Sequence, residues 1–242
     1  MNINQQAPEK ADRREDGSVV VHSIFHTIQG EGPFAGEPAV FVRLAGCNLQ
    51  CPACDTEYTS RRMVMTPPEV YDDLGAAICQ TAIASGEIKC TLVVITGGEP
   101  FRQNIQPLVC HLLFNGLRVQ IETNGSLYPG DAFPFHHPNL TVVCSPKTSV
   151  VHKKLVEHVA AFKYVATAAS IAADGLPVHA LEHPNAKGLY RPPSDWQGTI
   201  YLQPVDEQDP VLNSLNLKQC IASCMQHGYR LCLQLHKIIG LD

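Results

Sequence analysis

The chain has 242 residues, 45% of them hydrophobic, with a formal net charge of -5 and a pI near 6.1. That length accommodates one large α/β domain better than two, and the acidic balance argues against the basic stripe that nucleic-acid surfaces carry. The opening MNINQQAPEKADRREDG has no apolar stretch of the kind a signal peptide needs, and no run later in the chain is long enough to span a bilayer. A loose tail over 1–18, one domain over 19–242 and a soluble cytoplasmic protein are therefore expected, with neither nucleic acid nor membrane as a direct partner.

Short β-branched runs alternate with longer helical patterns, as βα units on a parallel sheet do. Strands are predicted at 39–45, 91–96, 117–123, 140–145, 161–167, 199–204 and 229–235. Helices are predicted at about 67–85, 104–115, 150–159 and 213–227, the first with Pro67 and Pro68 in its opening turn. Polar and glycine-rich residues fall just behind these strands: Cys47, then Gly97-Gly98-Glu99, Asn124-Gly125, Pro146-Lys147, Asp206 and His236. Barrels of parallel strands assemble their sites from loops at the carboxyl ends of strands, so the pattern predicts one site built from many loops. Residues 174–198 are rich in proline, glycine and histidine without a period, as a lid, a partner contact or a disordered excursion would be.

Behind the first predicted strand, GCNLQCPAC holds Cys47, Cys51 and Cys54 in C-x3-C-x2-C spacing. One short loop with this spacing can wrap a 4Fe-4S cubane, which normally takes four thiolates. A local triplet leaves one iron for a distant ligand or for a small chelator such as the amino and carboxylate groups of S-adenosylmethionine. The alternative is a zinc site on the Cys51–Cys54 pair, which needs a second pair. Cys220 and Cys224 are the other closely spaced pair, but in NLKQCIASCMQHG their i, i+4 spacing suits buried helical side chains. With no export signal, the ten cysteines are better explained by reduced thiols and metal than by disulfides. Six of the seven outside the triplet have apolar or helical neighbours, and packing is expected of them.

ITGGEP at 95–100 places two glycines and a carboxylate at a strand end, where backbone can approach a ligand closely and Glu99 can meet an ammonium group. Together with the cysteine loop it resembles the radical S-adenosylmethionine superfamily. FHTIQGEGPFAGEPAVFVRLAGCNLQCPACDT at 25–56, with SPK at 145–147, QPVD at 203–206 and HK at 236–237, resembles the 7-carboxy-7-deazaguanine synthase family within it. The resemblance covers most of the chain beyond residue 22.

It implies a partial, distorted TIM-like barrel of parallel strands with few helices, assembled as a homodimer, and conversion of 6-carboxy-5,6,7,8-tetrahydropterin to 7-carboxy-7-deazaguanine with loss of ammonia. The implied cofactors are a 4Fe-4S cluster on Cys47, Cys51 and Cys54, S-adenosylmethionine, and Mg2+ on Thr56, with a flavodoxin or ferredoxin as electron donor. Gly98, Glu99, Ser145, Pro146, Lys147, Gln203, Pro204, Val205 and Asp206 would contact S-adenosylmethionine, and Ile28, Gln29, Gly30, Arg43, Thr96 and Asp242 the substrate. The residue chemistry agrees at two of these: a Gln amide suits the mixed donor and acceptor edge of a heterocycle, and a guanidinium in an otherwise apolar strand suits a carboxylate. His236 and Lys237 are expected near the substrate, whereas His22 and His26 belong to no ligand spacing and read as strand-edge or surface groups. The chain departs from the superfamily pattern at Ala53, where an aromatic residue that packs on adenine is common. A glycyl-radical activating enzyme shares the cluster and GGE features, but QGEG and Arg43 favour a small carboxylated substrate.

Overall fold

The computed structural model describes residues 4–81, 90–183 and 188–241. Its frame is a sheet of nine strands: β1 (Val19–Ile28), β2 (Pro38–Leu44), β3 (Met63–Met65), β4 (Leu92–Gly97), β5 (Arg118–Thr123), β6 (Leu140–Cys144), β7 (Val159–Ala166), β8 (Thr199–Pro204) and β9 (Arg230–Leu231). The spatial order is β3-β1-β2-β4-β5-β6-β7-β8-β9. Neighbours from β2 to β9 run parallel, while β1 is antiparallel to β2 and to β3. The sheet does not close, since β3 and β9 are its two edges. It is the open, partial form of a parallel barrel.

Among the described residues five α-helices accompany the strands: α1 (Pro67–Thr81), α2 (Gln106–Phe114), α3 (Lys153–Val156), α4 (Pro210–His227) and α5 (Leu235–Ile239). Because side chains alternate across a strand, each central strand sends its apolar set to one face. Val40, Val42 and Leu44 of β2, Val93 and Ile95 of β4 and Val119 and Ile121 of β5 join Val70 and Leu74 of α1 and Leu108 and Leu112 of α2 in the main core. Cys220 and Cys224 of α4 belong to that same core, which is the packing role their spacing predicts. Cys79 and Cys110, in contrast, are exposed: they lie on the outer sides of α1 and α2. The opposite face of the sheet carries Arg43, Thr96, Glu122, Lys163 and Gln203, and across β2 and β4 the register pairs Arg43 with Thr96.

The predicted parallel strands through β8 are all present, with ends within about two residues. β1 and β3 were not predicted. The predicted last strand shortens to Arg230–Leu231 and its end becomes α5, while the helix expected at 150–159 is only Lys153–Val156 because Val159 already enters β7. The predicted extension of α1 over 82–85 lies outside the described residues. Between β5 and β6 the chain crosses without a helix. Pro129, Pro134 and Pro138 interrupt any helical run there, and Phe133 and Phe135 instead pack edge-on against Phe101. The N-terminal residues also differ from the loose tail expected: Asn4 is buried and bonds the cysteine loop. Among the described residues no helix is long and apolar enough to cross a membrane.

α4 shows how locally such an element is specified. The Asp209 carboxylate accepts the Val211 and Leu212 N–H groups at 2.8 and 3.0 Å, Pro210 takes the first turn, and Gly228 ends the helix at φ 74°. Capping satisfies otherwise unpaired backbone groups and contributes about 1 kcal/mol.

Candidate active site

The carboxyl ends of the parallel strands open onto a cavity of about 830 Å3. Cys47, Cys51 and Cys54 line it, as do Thr56, Arg43, Thr96, Ile28, Gln29 and Gly98. So do Ser145 and Lys147 behind β6, Gln203, Val205 and Asp206 at and behind β8, and His236 and Lys237 from α5. Gly30, Glu99, Pro146 and Pro204 are not among the lining residues, and Asp242 lies outside the described residues.

The cysteine loop is seated by the GGE turn. Gly98 N–H donates to the Leu44 carbonyl and Glu99 N–H to the Gly46 carbonyl, both at 3.1 Å. The approach is too close for a side chain, since a Cβ on Gly98 would stand 1.9 Å from the Gly46 carbonyl oxygen. Glu99 itself is fully buried, and its carboxylate accepts from Thr123 Oγ1 at 2.7 Å, the Asn124 N–H at 2.7 Å and the Phe101 N–H at 3.0 Å. Those bonds tie the end of β4 to the end of β5. Burial pushes its pKa above the usual carboxylate range despite these donors.

Cys47 and Cys51 are buried and Cys54 half-buried. Burial raises the Cys47 thiol to about 12 and the Cys51 thiol to about 11, so without a metal these thiols hold their protons and ligation has to displace them. The Leu49 N–H lies 3.4 Å from Cys47 Sγ, a donor for a charged sulfur. Among the described residues no three His, Cys, Asp or Glu side chains meet closely enough to hold a single ion. A cubane asks something different of its ligands, one thiolate for each of several irons. Facing the loop is Lys147, whose Nζ donates to the Ser145 carbonyl at 2.9 Å and to Ser145 Oγ at 2.6 Å; burial depresses its pKa.

The other wall is a polar net that sequence reasoning left largely unassigned. Glu122 accepts from Gln120 Nε2 at 2.9 Å, Thr96 Oγ1 at 3.1 Å and Gln29 Nε2 at 3.2 Å. Gln29 Oε1 in turn accepts the Glu31 N–H at 3.1 Å. Glu31 forms a buried ion pair with Lys163 and accepts from Gln203 Nε2 and Gln234 Nε2, each at 3.1 Å. Burial opposes ionisation of Glu31, but the Lys163 ammonium outweighs it and holds the carboxyl below its ordinary range, while Lys163 is raised. A charge inside an apolar strand was the signal used for Arg43. The same signal, applied to Glu122 in LRVQIET and Lys163 in AFKYVAT, would have found both.

Arg43 lies over the Phe25 ring, with 5.2 Å from guanidinium carbon to ring centroid. His22 is buried on β1 and meets Glu57 Oε2 at 2.7 Å, away from the cavity. At the rim, Asp206 accepts from the Gln208 N–H and Asn213 Nδ2 at 2.9 Å and from Lys237 Nζ at 3.0 Å. Gly30 is occupied from the same side: a Cβ there would meet His236 Nδ1 at 2.1 Å. From the 174–198 segment, Leu181 lines the cavity and its carbonyl accepts the Ala53 N–H at 3.1 Å; residues 184–187 lie outside the described part.

No family model matches the chain. The 7-carboxy-7-deazaguanine synthase of Rhodospirillum rubrum is 42% identical, with 97% of each chain covered. That of Rickettsia prowazekii is 34% identical over 97% of this chain and 94% of its own. The crystal structure of QueE from Escherichia coli superposes with a TM-score of 0.64 over 90% of this chain and 95% of that one, at 24% identity, a likeness of fold. Identity at this level along nearly the whole length places this chain in the 7-carboxy-7-deazaguanine synthase family.

Proposed function

We propose that the chain converts 6-carboxy-5,6,7,8-tetrahydropterin to 7-carboxy-7-deazaguanine with release of ammonia. The observation that carries this reading is the convergence of the three cysteines, Arg43 and the Glu31 and Glu122 net on one cavity. Cys47, Cys51 and Cys54 would hold a 4Fe-4S cluster, and S-adenosylmethionine would bind between it, Gly98, Ser145, Lys147, Gln203, Val205 and Asp206. Once bound, that pair supplies one-electron chemistry which amino-acid side chains lack. Mg2+ would sit at Thr56, beside Asp55, because the ion takes few protein ligands and keeps several waters.

The chain's own residues bind, orient and exclude water. Arg43 presents a planar cation near the cysteine loop for the substrate carboxylate. Glu122 and Glu31 are acceptors for the N–H groups of a pyrimidinone ring: a carboxylate offers about four acceptor positions, so Glu122 retains capacity beyond its three protein donors. Lys163 keeps Glu31 ionised for that purpose. The fitting partners are a flavodoxin or ferredoxin as electron donor and a second copy of the chain, in the cytoplasm.

The test is anaerobic incubation of reconstituted protein with the tetrahydropterin, S-adenosylmethionine, Mg2+ and a reductant, with the product identified by mass. Wild type forms 7-carboxy-7-deazaguanine, while Arg43→Lys keeps its iron and some S-adenosylmethionine cleavage but loses product, because an ammonium cannot fork onto a carboxylate. The loss corresponds to a charged hydrogen bond, about 2 kcal/mol or roughly 30-fold. Absence of product from iron-replete wild type defeats the substrate assignment, and wild-type turnover by Arg43→Lys removes Arg43 from the site.

A further inference from the structure

The segment that reads as a loose tail is built onto the cysteine loop. Asn4 donates its backbone N–H to the Pro52 carbonyl at 2.8 Å and its side-chain amide to the Cys51 carbonyl at 3.1 Å. Gln50 Nε2 returns a bond to the Asn4 carbonyl at 3.3 Å. Gln6 grips the far side, with Nε2 donating to the Thr56 carbonyl and Oε1 accepting the Tyr58 N–H, both at 2.9 Å. The Glu9 N–H donates to the Cys47 carbonyl at 2.7 Å. The segment thus meets the loop backbone at Cys47, at Cys51 and Pro52, and just beyond Cys54.

It is also anchored to the body of the fold. Arg102, only 2% exposed, donates through Nη1 to the Lys10 carbonyl at 2.7 Å and through Nη2 to the Ala45 carbonyl at 2.9 Å. Asp12 N–H donates to the Arg102 carbonyl at 2.9 Å. One buried guanidinium therefore joins the N-terminal segment to the residue at which β2 runs into the loop.

Residues 47–58 form neither helix nor strand, so their buried carbonyls and amides need partners from elsewhere. Holding such a loop in one conformation costs about 1–2 kcal/mol per residue in backbone entropy. We propose that Asn4 and Gln6 are positioning residues that hold the cysteine loop in its ligating shape before any metal arrives. The proposal rests on reading Cys47, Cys51 and Cys54 as the cluster ligands.

The experiment compares full-length wild type with Asn4→Ala/Gln6→Ala. Hydrogen exchange of the metal-free proteins should show amides of 47–58 opening on the order of tenfold faster in the variant, as the loss of a few hydrogen bonds implies, with the strands β4 to β8 unchanged. After anaerobic reconstitution the variant should release iron to a chelator several-fold faster than wild type. Gln6→Met keeps the side chain's bulk without its bonds and should show a smaller effect of the same kind. Unchanged exchange in 47–58, or an acceleration spread evenly over the whole sheet, overturns the proposal. If wild type takes up no iron while the loop still opens faster in the variant, the clasp stands and the cluster assignment falls.

Discussion

The Glu31–Lys163 pair joins residues 132 apart in sequence, one behind β1 and one inside β7, and both are mostly withdrawn from water. Two buried charges are tolerable only together. Removing one leaves the other desolvated and uncompensated, which costs about 3–5 kcal/mol, whereas replacing both by neutral groups is far milder. Lys163→Met should therefore lower stability by that amount. Glu31→Gln/Lys163→Met should recover most of it, because the Gln amide oxygen still accepts from Gln203 and Gln234. Urea unfolding of the single and double variants forms a double-mutant cycle. A loss in the double variant equal to the sum of the Lys163→Met and Glu31→Gln losses would show that the pair is not coupled.

Among the elements, those that the sequence made legible are the ones whose physics is local. β2 and the strands from β4 to β8 read clearly, because parallel strands covered on both faces are near-continuous apolar runs closed by turn residues. β1 was missed: beyond its opening valines, Ile24, Phe25, His26 and Thr27 are half-buried and carry no clean alternation, since one face looks into a polar cavity. The N-terminal clasp was invisible for a related reason. Its contacts are hydrogen bonds to loop backbone, and those leave no hydrophobic period. The GGE turn was legible as glycines, though its packing against the cysteine loop was not. That contact carries a prediction. Gly98→Ala places a Cβ 1.9 Å from the Gly46 carbonyl oxygen and 2.3 Å from its carbon, so the β4 turn and the cysteine loop must separate. Iron bound after reconstitution should fall several-fold while far-ultraviolet circular dichroism stays that of the wild type. Full iron binding by Gly98→Ala would mean that the two loops are seated independently.

At the scale of the whole molecule, an open sheet leaves the cavity wall incomplete, and the last part of the chain covers it. Gln234, His236 and Lys237 reach the cavity, held there in part by Asp206, which joins the end of β8 to Asn213 of α4 and Lys237 of α5. The Gln208 N–H, the Asn213 amide and the Lys237 ammonium together bring the Asp206 carboxyl from 3.8 down to about 2. A carboxyl depressed in the folded state stabilises it at every pH above the ordinary value, and that stabilisation is lost as pH falls from about 4 through 2. With the side chain 31% exposed, solvent screening reduces the contribution to about 1–2 kcal/mol. Asp206→Asn should therefore be less stable than wild type by about that amount at pH 7. The gap should narrow steadily below pH 4, as wild type protonates the carboxyl that the variant lacks. Urea titrations at pH 7 and pH 2.5 measure both ends of that window. A gap that stays constant between them would locate the effect in packing rather than in the charge of Asp206, and the C-terminal cover would then be held by its apolar contacts alone.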